Sequence, residues 1–398
     1  MRILFVTPEL PNPLHRVRSL NLVRGLGQRH ELDLVSLAHE APSAELLEAL
    51  RPSCRRIDWV LQPRWRSLAQ SALGLLGPST LEACYERSPV LARLIRQRLD
   101  QCSYDVVYVK RLRMAQYGAL APNLPRVLDL TDSMARFYDL ARQRAPWPSK
   151  ALFWEEWLKH QHYEPRLAAT FERCVVASPI DAAHLRDVQG LRNVDVVPNS
   201  VDTDFYRPRA GDGEPSTFLL SGLMDKLVNV DAALYLDREI WPRVRAEIPA
   251  ARLRLVGPQP SRAVRALHGR DGIEVVGFAP DLRDEIARAT AVLVPLRIGT
   301  GTKNKVMQAL AMERAVVSTS VGNEGLGAQS GRHLIVADRP AEFAAAVVRL
   351  ARDPPWRASL GADGRAWVVE RYGVPAVIER LGQILADVVD GRCSSPKA

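Results

Sequence analysis

The feature that most constrains this chain is an alternation of strand-sized apolar runs with helix-length segments, repeated down the sequence and interrupted once. In the first half, residues 3–6, 31–36, 105–109, 126–130, 174–177 and 194–197 read as strands, with helices over 20–28 and 149–173. In the second half the strands are 217–220, 252–256, 273–276, 291–295, 315–319 and 334–337, with helices over 230–246, 282–289, 303–312 and 341–351. Strands alternating with helices imply a parallel, doubly wound sheet. The rhythm stops between residues 198 and 215, where prolines and glycines cluster (Pro198, Pro208, Gly211, Gly213, Pro215), so a linker belongs there. The expectation is two Rossmann-like domains in an α/β chain. The first spans 1–205 and the second 206–374, and an amphipathic helix within 375–398 packs back toward the first domain.

The chain has 398 residues, 47% hydrophobic and 25% charged, enough for a sizeable core in each half. No apolar run approaches the roughly 20 residues that span a bilayer. The N-terminal residues Met1-Arg2-Ile3-Leu4-Phe5-Val6 read as a buried strand rather than a signal peptide. Five cysteines, Cys54, Cys84, Cys102, Cys174 and Cys393, are scattered without a C-x-x-C pair, which argues against a disulfide framework or zinc site and favours a cytoplasmic location. The net charge of +9 is spread over both halves rather than gathered in a patch. That distribution argues against nucleic acid as a partner and suits small anionic ligands or loose attraction to acidic lipid. Two stretches carry the tryptophan-plus-basic composition of an interfacial helix, residues 64–76 and 147–160. The second reads better as core. Peripheral contact with the inner face of a membrane is therefore an expectation for the first stretch.

The segment Pro295-Leu296-Arg297-Ile298-Gly299-Thr300-Gly301-Thr302-Lys303 leads from a strand into a helix through two glycines. The N–H groups and dipole of a helix start, with the Thr302 hydroxyl and the Lys303 charge, make a site for an anion such as a diphosphate. It is not a Walker loop. No G-x-G-x-x-G follows the first strand, which disfavours a dinucleotide oxidoreductase. In the first half, Arg16 and Arg18 sit at a helix start, where a cation opposes the dipole. That placement makes sense if they face an anion. His15 lies beside them. Lys110 and Arg111 follow a strand end, and Asp132 opens a helix, where its rival role is N-cap.

Ser221-Gly222-Leu223-Met224-Asp225, Asn229-Val230-Asp231-Ala232, Val275-Val276-Gly277-Phe278, the G-T-G-T-K loop and Ser318-Thr319-Ser320-Val321-Gly322-Asn323-Glu324-Gly325-Leu326, taken in this order, resemble family 4-like (group 1) glycosyltransferases of the exopolysaccharide type. The linker Pro198-Asn199-Ser200-Val201-Asp202 is similar too. The resemblance implies a GT-B fold with a central cleft between the domains. It implies a retaining hexosyl transfer from a nucleoside-diphosphate sugar to a glycan or lipid-linked acceptor in polysaccharide or glycoconjugate synthesis. The nucleotide-sugar is then a co-substrate, and no metal is required. The donor side would comprise Gly222, Lys226, Gly277, Phe278, Gly299, Thr300, Gly301, Thr302, Lys303, Gln308 and Glu324. His15, Arg18, Lys110 and Arg111 would serve the acceptor, and Asp132, Lys303 and Arg16 the chemistry. The family's E-x7-E glutamates are replaced by Thr300 and Gln308. Two rival readings follow from that departure and from the fold: a degenerate GT-B binding protein and a GT-B sugar-nucleotide epimerase. The D-x-D look-alike Asp202-Thr203-Asp204 lies in the linker and reads as a turn.

Overall fold

The computed structural model describes residues 1–13, 16–144, 147, 149–209, 213–299 and 301–391. The chain divides into two units, Met1–Pro198 with Val377–Ala398, and Asn199–Ala376.

The first unit is built on seven parallel strands: β1 (Arg2–Thr7), β2 (Glu31–Ala38), β3 (Arg56–Leu61), β4 (Val106–Lys110), β5 (Arg126–Thr131), β6 (Arg173–Val176) and β7 (Val194–Val196). Their order is β3-β2-β1-β4-β5-β6-β7. The second unit holds β8 (Thr217–Ser221), β9 (Arg252–Val256), β10 (Ile273–Gly277), β11 (Ala291–Val294), β12 (Val316–Ser318) and β13 (Ile335–Val336), in the order β10-β9-β8-β11-β12-β13. Each sheet winds outward from its first strand in one direction and then, past it, in the other, which is the doubly wound plan. The central strands are covered on both faces and therefore read as unbroken apolar runs. Ile3, Leu4 and Phe5 are fully buried in the first sheet, and Phe218, Leu219 and Leu220 in the second.

One strand departs from the sequence reading. β3, Arg-Ile-Asp-Trp-Val-Leu, is a half-exposed edge strand, and its charged residues disguise it. The helix expected over 230–246 is continuous in path but changes pitch. It runs α over Leu227–Tyr235, π over Leu236–Ile240 and α again over Trp241–Glu247. Pro242 lacks an N–H and its ring crowds the carbonyl of Arg238, so the wider turn falls just before it. The helix expected over 149–173 ends at Ala168, and Arg173 already belongs to β6. The helix Val374–Val389 passes from the second unit into the first. There Ile378 lies against Gly25, and Glu379 pairs with Arg29.

Candidate functional site

The winding of the second sheet reverses between β8 and β11, and ligands of open α/β sheets bind beyond the strand ends at such a point. β8 runs out into Gly222, which has φ +148°. Gly257, just after β9, has φ +155° and passes so close that a Cβ would strike the Gly222 carbonyl. Beyond β11 the chain turns through Gly299 (φ +143°) and Gly301 (φ +67°) into the helix Asn304–Ala311. Lys303 occupies the cap position without capping, and the first turn holds no acidic residue. The first N–H groups of a helix have no acceptor within it. Two oxygens at the same helix start, Thr302 Oγ1 and Asn304 Oδ1, are buried and have no hydrogen-bond partner among the described residues. Buried polar atoms are normally paired; the Thr302 hydroxyl is free to donate to a ligand oxygen, whereas Asn304 Oδ1 can only accept, from a ligand hydroxyl or N–H. The arrangement suits an anion carrying several oxygens.

Two amines flank this turn. Lys303 Nζ donates to the Gly301 carbonyl at 2.6 Å. Lys305 Nζ donates to Asn229 Oδ1 at 2.6 Å, and the Asn229 amide donates in turn to the Leu223 carbonyl at 2.9 Å. The helix is thereby tied to the loop after β8. Lys305 has no carboxylate partner among the described residues. Burial, reinforced by the neighbouring Lys303 charge, brings its amine down to about 7. Arg297 grips Asp231 through Nε at 3.0 Å and Nη2 at 2.5 Å, and its guanidinium lies 4.5 Å from the Tyr235 ring centre. These contacts pin the loop after β11 to the helix Leu227–Tyr235.

The other donor-side residues are distributed as follows. Gln308 donates through Nε2 to the Tyr206 hydroxyl at 2.9 Å. Lys226 is exposed and pairs with its neighbour Asp225 at 2.8 Å. Gly277 (φ +75°) ends β10, and the Phe278 ring beside it is exposed. Glu324 is partly buried directly after the short helix Ser320–Asn323. That helix is capped by Thr319, which accepts from Gly322 N at 3.1 Å and donates to the Leu296 carbonyl at 2.5 Å. Thr300 lies outside the described residues. Asp202 is a turn residue: its Oδ1 accepts from Asp204 N at 3.1 Å and Phe205 N at 2.9 Å. Among the described residues no group of three or more His, Cys, Asp or Glu is placed to hold a metal ion.

In the first unit the corresponding reversal lies between β1 and β4. Its centre is Asp129, fully buried on β5. Asp129 accepts from Tyr108 Oη at 2.7 Å, Lys110 Nζ at 2.8 Å, Arg18 Nε at 3.1 Å and Thr131 Oγ1 at 3.1 Å. Burial alone would raise its carboxyl. Arg18 and Lys110 outweigh burial and hold it well below the usual carboxylate range. Burial also pulls the Lys110 amine well down, against the attraction of Asp129. With four donors on Asp129, the carboxylate is the charged partner that holds the cluster together. Lys110 is thus enclosed on Asp129 and Thr131 rather than presented to a ligand. Arg18 is 8% exposed and also donates to the Pro198 carbonyl at 2.7 Å. Here the structure departs from the expectation that the two cations line an open surface, because a buried carboxylate on β5 draws them inward.

Around that centre, Arg16 donates to Glu9 at 2.5 Å, and Arg111 lies 3.5 Å from Asp132. Asp132 does not cap the following helix. Ser133 Oγ accepts from Arg136 N at 3.3 Å, and Glu164, reaching across from the helix Ser149–Ala168, accepts from Met134 N at 2.9 Å and Ala135 N at 3.3 Å. Burial pushes the Glu164 carboxyl up to about 7 against the pull of these donors. Nearby, burial raises Glu86 to about 7 as well, with Arg113 at 3.4 Å opposing the shift. His39 approaches Glu86 at 4.0 Å. His15 lies outside the described residues.

The stretch from β8 to the helix Pro340–Arg352 also matches a known family. Residues 215–353 match the model of the glycosyl transferases group 1 family. Over this stretch the chain is similar to group 1 glycosyl transferases. The whole chain aligns with solved structures at low identity. HepE of Anabaena, in complex with UDP and glucose, gives a TM-score of 0.69 at 15% identity, over 97% of this chain and 99% of that one. Sucrose-phosphate synthase from Thermosynechococcus elongatus gives 0.72 at 15%, over 98% and 100%. A TarM structure gives 0.70 at 8%, over 97% and 99%. The likeness over both sheets is that of the GT-B fold. No curated protein matches the chain in sequence.

Lys305, Asn229 and Tyr206, which the structure joins to the glycine turn and to Gln308, are not among the candidate residues read from the sequence. Lys305 had a signal, since it stands one turn before Gln308 on a helix that opens at the glycine loop. Asn229 stands in one of the motifs of the resemblance, but its link to Lys305 had no local signal, and neither had that of Tyr206 to Gln308, because their partners lie far away in sequence.

Proposed function

We propose that this chain transfers a sugar, with retention, from a nucleoside-diphosphate sugar to a glycan or lipid-linked acceptor in glycoconjugate synthesis. The observation that carries this reading is the uncapped helix start at Lys303, where backbone N–H groups, the unpartnered Thr302 hydroxyl and two lysines converge. Charge builds on the departing diphosphate as the glycosidic bond to it breaks, and donors already in place there stabilise that charge. The lysines supply positive charge at the diphosphate, so the reaction needs no divalent ion at the donor. In the first unit, the helix start bearing Arg16 and the strand ends followed by Arg111 and Asp132 serve the acceptor.

UDP is the first nucleotide to test, because the HepE structure of similar fold holds it. Thermal-shift titration with UDP, GDP and TDP, repeated with EDTA, is expected to show a rise in melting temperature for one of them that EDTA leaves unchanged. No rise with any nucleotide would refute the reading, and a rise abolished by EDTA would refute its metal-free part.

Gln308 gives a second test. A neutral amide bonds a ribose diol more weakly than a carboxylate does. In Gln308→Glu the bond to Tyr206 reverses, the hydroxyl donating to the carboxylate, and the variant is expected to tighten nucleotide binding by about fivefold, the worth of one charge-assisted bond over a neutral one. Isothermal titration of both proteins with the same nucleotide measures this. Equal affinity would mean that Gln308 serves only to hold Tyr206.

A further inference from the structure

The helix Arg64–Gly74 in the first unit is built inside out. A surface helix normally turns its apolar stripe to the core and its polar face to water. Here the inward face is small and polar. Ser67 is fully buried and accepts from Gln62 Nε2 at 2.9 Å. Ser71 Oγ donates to the Leu81 carbonyl at 3.0 Å. Gly74 is buried and packs near Cys84. The outward face carries Trp65, Leu68, Ala69, Ala72 and Leu73 at helical spacing. Trp65 is 72% exposed, Leu68 61% and Leu73 80%, and Leu76 just beyond the helix is 99% exposed.

Neighbouring elements extend this surface. Trp59 and Leu61, alternate residues on the edge strand β3, are also exposed. Lys159 Nζ donates to the carbonyls of Gly74 at 3.0 Å and Leu75 at 3.2 Å. That joins the end of the inverted helix to Ser149–Ala168, where Leu152, Trp154 and Leu158 are exposed. The sequence had favoured core for this second stretch, and the structure instead leaves these three side chains in solvent. An apolar surface of this extent on a water-soluble fold marks an interaction site.

Its charges select the partner. Between Asp58 and Glu82 the chain has no acidic residue, and Arg64 and Arg66 are the only charged ones. Arg64 shares an exposed pair with Glu40 at 3.0 Å, and Arg66 has no ion-pair partner among the described residues. Tryptophan and leucine on one face, flanked by two arginines of which only Arg64 meets an acid, match the boundary between acyl chains and anionic headgroups. No helix among the described residues is long and apolar enough to cross a membrane. We infer that the helix Arg64–Gly74 seats the first unit on an anionic lipid surface, with Trp65, Leu68, Leu73 and Leu76 entering the headgroup–acyl boundary and Arg64 and Arg66 meeting lipid phosphates. This inference does not depend on the proposed reaction.

Co-sedimentation of the full chain with vesicles tests it, using phosphatidylcholine alone and phosphatidylcholine with phosphatidylglycerol. Binding is expected to the second and much less to the first. Replacing Trp65, Leu68, Leu73 and Leu76 together by serine abolishes it. Arg64→Gln with Arg66→Gln weakens it by about thirtyfold, from roughly 1 kcal/mol per basic side chain at an anionic surface. The serine variant keeps its circular dichroism and melting temperature, because the replaced side chains are exposed. Failure of the unaltered chain to bind either vesicle, or undiminished binding by the serine variant, overturns the inference. Equal binding of the arginine variant overturns its electrostatic part. A dimer in sedimentation equilibrium that the serine variant dissociates, without vesicle binding, assigns the face to a second copy of the chain instead.

Discussion

Asp129→Ala unfolds the first unit at a melting temperature on the order of 10 °C lower than the unaltered chain. The carboxylate is the shared acceptor of Arg18, Lys110 and Tyr108 in a site that water does not reach. Removing it leaves buried cations uncompensated, and breaking a buried pair in this way costs about 3–5 kcal/mol. For a unit of this size that corresponds to the stated loss in melting temperature. Adding Lys110→Met to Asp129→Ala recovers part of the loss, and the non-additivity of the two substitutions measures the pair itself. Differential scanning calorimetry of the four proteins closes the cycle. The pH dependence has a definite sign. Folding lowers the Asp129 carboxyl, so its contribution is complete above the unfolded value near 3.9 and is lost as the pH falls below that. Asp129→Ala should therefore cost its full amount at neutral pH and progressively less in acid. A cost unchanged down to the acid limit would mean that packing, not charge, is what Asp129 supplies.

The second large effect lies at the glycine turn. Lys303→Ala is expected to reduce donor turnover by about 100-fold or more, the range found when one positioned donor to a developing negative charge is removed. Lys305→Met acts differently, and its signature separates it from a merely structural role. The Lys305 amine sits at about 7 in the unliganded chain because burial and Lys303 disfavour its charge. A bound diphosphate supplies the missing counter-charge and raises it. Nucleotide affinity is then flat below about pH 7 and falls by up to about tenfold per unit above it, as binding must take up a proton. Stability of the unliganded chain runs the opposite way. The unfolded amine titrates near 10.4, so the unfolded chain holds more protons between the two values and stability rises with pH across that window. Lys305→Met flattens both slopes while lowering nucleotide affinity at neutral pH. Calorimetric titration with the nucleotide and thermal unfolding, each run from pH 6 to 9, read the two slopes separately. An affinity slope that persists in Lys305→Met would assign the titration to another group.

The two sheets were legible in the sequence because buried parallel strands are apolar on both faces. Ile3–Val6 and Phe218–Leu220 advertise themselves as uninterrupted runs. β3 did not, since an edge strand is half wet and keeps Arg56 and Asp58. The glycine turn into the helix Asn304–Ala311 was legible from its two glycines and the lysine beside them, which is local chemistry. What stayed hidden depends on contacts distant along the chain. Asp129 stands next to a motif that looks like surface, and only the arrival of Arg18, Tyr108 and Lys110 shows it to be the anion at the centre of the unit. Glu164 caps a helix that begins thirty residues earlier, a task that nothing near it in sequence suggests. Lys305 could be seen, but Asn229 as its hydrogen-bond partner could not.

The passage of the helix Val374–Val389 back into the first unit has a consequence for how the protein is made. On the ribosome, residues 199–376 emerge as one uninterrupted stretch and can close over their own core as soon as they leave the tunnel. The amino-terminal unit, although synthesised earlier, still lacks Ile378, Leu381 and Leu385, and the face of its first helix at Gly25 stays uncovered meanwhile. Birth order and completion order are therefore reversed. A nascent chain stalled before residue 377 would present a complete second unit attached to a first unit that still lacks its last helix.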